Sequence, residues 1–187
     1  MTKPNHVGQL MERSGFLPAP AFFEMLANRE FPSTTWLRDR GSLEYTPEPD
    51  IFHDVFGHVP MHAHRVFADF LAHYGKLCGM TEDPQVLEQL GRIFWYTVEF
   101  GLIRQNGQLK MFGSGIISSQ GECSNILDGK CEVRPFDLET VLRTTVKVDE
   151  IHKLLFAVDS FDQMYEALVA AESKFFPALA PEKALKN

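Results

Sequence analysis

At 187 residues, 44% hydrophobic and 23% charged, the chain has a globular composition and enough length for one domain with a sizeable core. Its net charge of −7, with no cluster of Lys and Arg, argues against a nucleic-acid partner, because phosphate recognition needs concentrated positive charge. No apolar run approaches the ~20 residues of a membrane span, and Met1 to Met11 is polar, unlike a signal peptide.

Residues 1–14 carry no periodic pattern and are expected to be flexible. From Pro18 to Phe31 the sequence reads as a short helix, with Pro20 in its first turn and Phe22, Phe23, Leu26 and Ala27 on one face. Pro32 and Ser33 end it, and residues 34–47 are extended or looped. Asp50 is placed to cap a helix opening at Ile51, which Gly57 and Pro60 interrupt early. A helix follows from about His64 to Tyr74, with Val66, Phe67, Phe70 and Leu71 on one side. A long helix runs from Pro84 to Phe100.

Leu109 to Phe112 reads as a strand, followed by the turn Gly113-Ser114-Gly115 and the apolar pair Ile116-Ile117. Thr144 to Val148 alternates like a strand, and Leu154 to Val158 is a short apolar run of the same type. Ser160-Phe161-Asp162-Gln163 has capping-box spacing before a last helix to about Ala171. The fold class is a mainly helical α+β domain with short strands. Cys78, Cys123 and Cys131 are odd in number and lack a C-x-x-C spacing; they read as small buried hydrophobes of a reduced, cytoplasmic protein. The 16 Phe imply a core built from rings, or a pocket lined with them.

Chemistry concentrates in Glu48-Pro49-Asp50-Ile51-Phe52-His53-Asp54-Val55-Phe56-Gly57-His58-Val59-Pro60. On an α-helix, residues five apart point ~140° from each other, so His53 and His58 converge only if the helix ends between them, as Gly57 and Pro60 allow. Either histidine alone is more often an ordinary half-buried residue. Glu99 shifts the balance, because it is the only charge in the apolar run from Ile93 to Ile103. An unpartnered carboxylate there costs several kcal/mol. A divalent metal removes that cost, as would an ion pair with Arg92 or Arg104. Two imidazoles and one carboxylate with open positions are the facial set of oxygen-activating iron(II), and the same ligands suit catalytic zinc. A zinc hydrolase is the weaker reading, since no Glu stands at H-E-x-x-H spacing. His62 and His64 are read as exposed.

The run from Glu48 to Pro60, then Phe94-Trp95-Tyr96-Thr97-Val98-Glu99-Phe100-Gly101, then Phe112-Gly113-Ser114-Gly115-Ile116-Ile117-Ser118-Ser119, closely resembles the tetrahydropterin-dependent aromatic amino acid hydroxylases, the bacterial phenylalanine hydroxylases above all. The resemblance runs from about Gly15 to the last helix. It implies a catalytic domain over residues 15–175, with a C-terminal tail at 176–187. It implies iron(II) held by His53, His58 and Glu99, and a tetrahydropterin against Phe22 and Leu17, with Asp54 close by. Arg38 matches the arginine that takes the substrate carboxylate, a task suited to its planar fork. Thr46, Pro49, Trp95, Phe100, Gly115 and Ser118 match the amino-acid pocket. Ser118 also falls where it supports His53, and Val148 falls where a small apolar residue favours phenylalanine over tyrosine.

The implied reaction is ring hydroxylation of an aromatic amino acid by O2 and reduced pterin, with those small molecules as the only partners and a monomer or small homo-oligomer as the assembly. Phe94 departs from the family pattern, where relatives carry Tyr. The chain also reads as N-terminally short against bacterial members, and it does not contain the regulatory domain or tetramerising helix of animal members. Two alternatives stay open: a hydroxylase of tryptophan or another aromatic acid, and a truncated, non-catalytic homologue that binds pterin or metal.

Overall fold

The computed structural model describes residues 9–12, 17–40, 49–148 and 150–179. It opens with β1 (Gln9–Glu12), α1 (Ala19–Ala27) and β2 (Glu30–Ser33). Pro20 sits in the first turn of α1, where its missing N–H is not called on. The helix stops at Ala27 rather than Phe31, because Arg29 takes a left-handed φ of 62° and the next residues turn into a strand parallel to β1. Strand β1 lies in the segment expected to be flexible. A short pairing carried by backbone bonds leaves no hydrophobic period to read.

Asp50 caps the following helix as expected, its carboxyl accepting from the His53 backbone N–H at 2.9 Å. That helix does not end at Gly57. His53–His58 is wound as a π-helix, and α2 (Val59–His62) continues from it. The change of winding at Val59 puts Pro60 in a first-turn position, where a helix tolerates it. Next comes α3 (Arg65–Cys78), whose Phe67, Phe70, Leu71, Tyr74 and Leu77 repeat at three- and four-residue steps and are all buried. The expected helix from Pro84 appears in two windings, α4 (Pro84–Phe94) and a π segment at Trp95–Glu99.

A hairpin follows, of β3 (Leu102–Gln105) and β4 (Gln108–Met111). Its Asn106-Gly107 turn has φ of 53° and 74° at the two positions, the pairing that two-residue hairpin turns favour. Gly113-Ser114-Gly115 is not a simple turn: Ser114–Ile117 forms the helical turn α5. Then come α6 (Gln120–Leu127), β5 (Glu132–Pro135), α7 (Leu138–Arg143), β6 (Leu154–Val158) and α8 (Phe161–Phe175). The hydroxyl of Ser160 caps α8 by accepting from Gln163 N–H at 3.1 Å, while the Gln163 side chain reaches back to the N–H of Asp159 at 2.7 Å.

The sheet order is β4-β3-β6-β5, with β6 parallel to both neighbours and β3 antiparallel to β4. Central β6 is an apolar run buried from Leu155 to Val158, as a strand covered on both faces must be. Thr144 to Val148, expected as a strand, is an irregular loop. Both flanks of β6 are already taken, and the loop is tied down instead by Tyr96, whose hydroxyl donates to the Thr145 carbonyl at 2.9 Å. Helix α3 crosses α1 and α8 to form the main core around Leu26, Phe67, Phe70, Tyr74, Met164 and Leu168. The whole is the mainly helical α+β domain that the sequence predicts.

Candidate metal centre between two pockets

The two π segments carry the chemistry. In a π-helix the backbone bonds run from i to i+5, so residues five apart lie one above the other, and His53 and His58 therefore share a face. The Nε2 atoms of the two rings are 3.1 Å apart. Glu99, at the end of the second π segment, places Oε1 at 3.2 Å from His58 Nε2 and Oε2 at 3.5 Å from His53 Nε2. Adjacent ligands on one octahedral metal, at bonds of roughly 2.1 Å, lie about 3 Å apart. The three side chains fit a metal on one triangular face.

Proton placement supports the same fit. The Ser118 hydroxyl donates its one proton to the Ser114 carbonyl at 2.6 Å. It must then accept from His53 Nδ1–H, 2.8 Å away. This fixes the His53 tautomer and leaves the Nε2 lone pair facing Glu99 and His58. Burial pushes His53 below its ordinary value, which favours the neutral ring. Burial also raises Glu99, but the two imidazoles and the Ser114 hydroxyl, 2.8 Å from Oε2, outweigh it and hold the carboxyl at about 2. An anion and a neutral imidazole lone pair thus converge on one point, an arrangement a cation stabilises.

Asp54 also brings a carboxyl oxygen within 4.8 Å of both rings. Thr34 claims Asp54 Oδ2 twice, by its backbone N–H at 2.7 Å and its hydroxyl at 2.8 Å, whereas both Glu99 oxygens face the two imidazoles directly. Close packing holds the parts together. A Cβ on Gly57 would stand 2.8 Å from Ser114 Cβ, so glycine lets the π segment press against α5, which carries both Ser114 and the approach to Ser118. Gly57 is a packing residue, where the sequence suggested a helix end. His62 is a second correction: it is buried between the rings of Phe31 and Phe67, and burial lowers it to about 4. His64 is exposed, as expected.

Two cavities open on the triad. One, of about 370 Å³, is lined by Leu17, Phe22, Phe31, Thr34, Trp36 and Asp54. The other, of about 360 Å³, is lined by Arg38, Trp95, Phe100, Gly115, Ser118 and Val148. Pro49, His53 and Glu99 belong to both. Thr46 lies outside the described residues. In the first cavity Phe22 is half-buried, with its ring against Phe31 and Phe94. In the second, Arg38 is buried and forks onto Asp50, with Nε 2.8 Å from Oδ2 and Nη2 2.6 Å from Oδ1, while Nη1 donates to the Ser118 carbonyl at 2.8 Å. These contacts use three of its five N–H groups, and Nη1 and Nη2 each keep one beyond them. Burial raises Asp50, yet the bonds from Arg38 bring it down to about 2.

The sequence reading missed Ser114, Thr34, Glu122 and His152, and it took Asp50 for a helix cap only. None of these contacts has a sequence signature, since each joins segments that only the fold brings together. The Asn106-Gly107 pair was a legible hairpin signal for β3.

The family model for biopterin-dependent aromatic amino acid hydroxylases matches residues 6–176. The phenylalanine-4-hydroxylase of Mesorhizobium japonicum is 46% identical over 84% of this chain and 58% of its own length. That of Chromobacterium violaceum is 45% identical over 82% of this chain and 52% of its own. The chain thus spans about half the length of the curated relatives it matches. A crystal structure of the C. violaceum phenylalanine hydroxylase, with bound iron(III) and 7,8-dihydrobiopterin, superposes with a TM-score of 0.83 at 40% identity, covering 93% of this chain and 64% of that one. With the family model matching nearly the whole of this chain and the fold shared, the chain belongs to the biopterin-dependent aromatic amino acid hydroxylase family.

Proposed function

We propose that the chain is an iron(II)- and tetrahydropterin-dependent monooxygenase that hydroxylates the ring of an aromatic amino acid, converting phenylalanine to tyrosine. The observation that carries this reading is the sharing of His53 and Glu99 by two cavities. A metal held by those ligands would lie between a cavity lined by Phe22, Phe31 and Trp36 and an aromatic pocket that contains Arg38. His53, His58 and Glu99 would hold the iron. When bound, iron(II) and the reduced pterin supply O2 activation. Phe22, Leu17 and Asp54 wall the pterin slot. The free guanidinium edge of Arg38 takes the substrate carboxylate, and Trp95, Phe100 and Gly115 place the aromatic ring beside the metal and keep water from it.

The hydroxylase unit is residues 15–175, with strand β1 of the preceding segment paired onto it. Three free thiols suit a cytoplasmic protein, and no helix of the described residues is long and apolar enough to cross a membrane. The partners are the amino acid, O2 and the pterin, in a monomer or small homo-oligomer. The test is tyrosine formation from phenylalanine by iron-loaded protein with reduced pterin, run beside tyrosine and tryptophan as substrates, with Glu99→Ala as control. Glu99→Ala is expected to lose iron and activity together. Full iron occupancy with no product from any aromatic amino acid would leave only the non-catalytic reading.

A further inference from the structure

One wall of the second cavity is a hydrogen-bonded chain that runs through Trp95, His152 and Glu122. The Trp95 indole N–H is 2.9 Å from His152 Nε2. An indole only donates, so Nε2 must accept, and the His152 proton sits on Nδ1. That proton goes to Glu122 Oε1 at 2.7 Å, and the backbone N–H of His152 donates to the same oxygen at 3.1 Å. The His152 carbonyl accepts from the Asn125 side chain at 2.7 Å. Helix α6 therefore grips His152 at its ring and at both backbone groups, through Glu122 and Asn125. Both His152 and Glu122 are buried.

The ring of His152 is the back wall of the pocket. Its centroid is 4.0 Å from that of Phe100, whose ring is in turn 4.7 Å from Trp95. On another side Phe100 is confined by the backbone of Gly115, where a Cβ would come within 2.5 Å of its ring. Phe100 directly follows the ligand Glu99. We propose that His152, held in one tautomer by Glu122, is a positioning residue that locks the Trp95 and Phe100 rings and so sets the room for the substrate's aromatic side chain. It also fastens the end of the loop that brings Val148 and Glu150 to the pocket. Gln is the natural conservative replacement, since its amide donates and accepts at one end as the imidazole does at two. Leu fills similar space and does neither.

This inference deepens the hydroxylase reading and rests on it, but one arm of the test is independent of turnover. The chain has two tryptophans, so Trp36→Phe identifies the Trp95 indole N–H signal in an NMR spectrum of the iron-free protein. Substituting His152→Leu is expected to shift that signal upfield and speed its exchange with solvent, and His152→Gln to restore both. In iron-loaded protein, His152→Leu should raise KM for phenylalanine roughly tenfold with kcat changed less than about threefold and iron content unchanged. His152→Gln should recover most of the loss, and His152→Leu placed on Trp95→Phe should add little more. Should His152→Leu not fold, His152→Gln and Trp95→Phe decide. An indole signal indifferent to His152, or a Gln variant as impaired as Leu with kcat falling as far as KM rises, overturns the proposal. Wild-type protein without turnover fails the hydroxylase reading alone, and calorimetric phenylalanine binding then replaces KM.

Discussion

Replacing Ser118 with Ala removes one oxygen, yet it is expected to weaken iron(II) binding strongly. The hydroxyl accepts the Nδ1 proton of His53 at 2.8 Å because its own proton is committed to the Ser114 carbonyl at 2.6 Å. Without it, His53 has two courses. The proton stays on Nδ1 as a buried donor without a partner, at a cost of ~1–3 kcal/mol, or it moves to Nε2 and takes away the lone pair the metal needs. Loss of a hydrogen bond behind a ligand histidine weakens metal binding by roughly 10–100-fold, which is about 1.4–2.7 kcal/mol. The two estimates agree. Competition with a chelator of known iron(II) affinity measures the change, and thermal melting of the metal-free protein confirms that Ser118→Ala is folded. An affinity within about twofold of wild type would refute the tautomer assignment and, with it, the orientation given to His53.

Three further outcomes follow from the same geometry. Arg38→Lys, which cannot fork onto both Asp50 oxygens and still present a flat edge, should raise KM for the amino acid by about tenfold or more, read in steady-state kinetics. Gly57→Ala drives a methyl to 2.8 Å from Ser114 Cβ; overpacking of this kind costs about 1–3 kcal/mol and should lower both the melting temperature and iron affinity. His62 is buried and neutral, with a folded value of about 4 against an ordinary 6.5. Below the ordinary value the unfolded chain takes up the proton first, so stability falls as pH drops and levels off near the folded value. Between pH 7 and 5 that loss is about 2 kcal/mol, and His62→Phe should remove it, as melts at the two pH values would show.

Much of this protein was legible in its letters. The mainly helical class, the cores of α3 and α8 and the cap at Asp50 rest on local patterns of apolar period and capping residues. The convergence of His53, His58 and Glu99 was suggested by spacing and a lone acid in a greasy run, and the bond between Ser118 and His53 by family resemblance. What the sequence left open was winding and contact. Five-residue spacing is awkward on an α-helix, and the sequence suggested a break; the structure instead winds this stretch as a π-helix, with Gly57 pressed against Ser114 of α5. Thr144 to Val148 alternates like a strand, but β3 and β5 already flank β6, so the alternation found no partner. Arg38 with Asp50, Glu99 with Ser114, and Glu122 with His152 and Trp95 join residues distant along the chain. Such pairs have no local energetic signature, because each partner is ordinary until folding removes water from both. Residue types and spacing determined which atoms could bind a metal; only the packing of distant segments decided where their protons sit and which rings they steer.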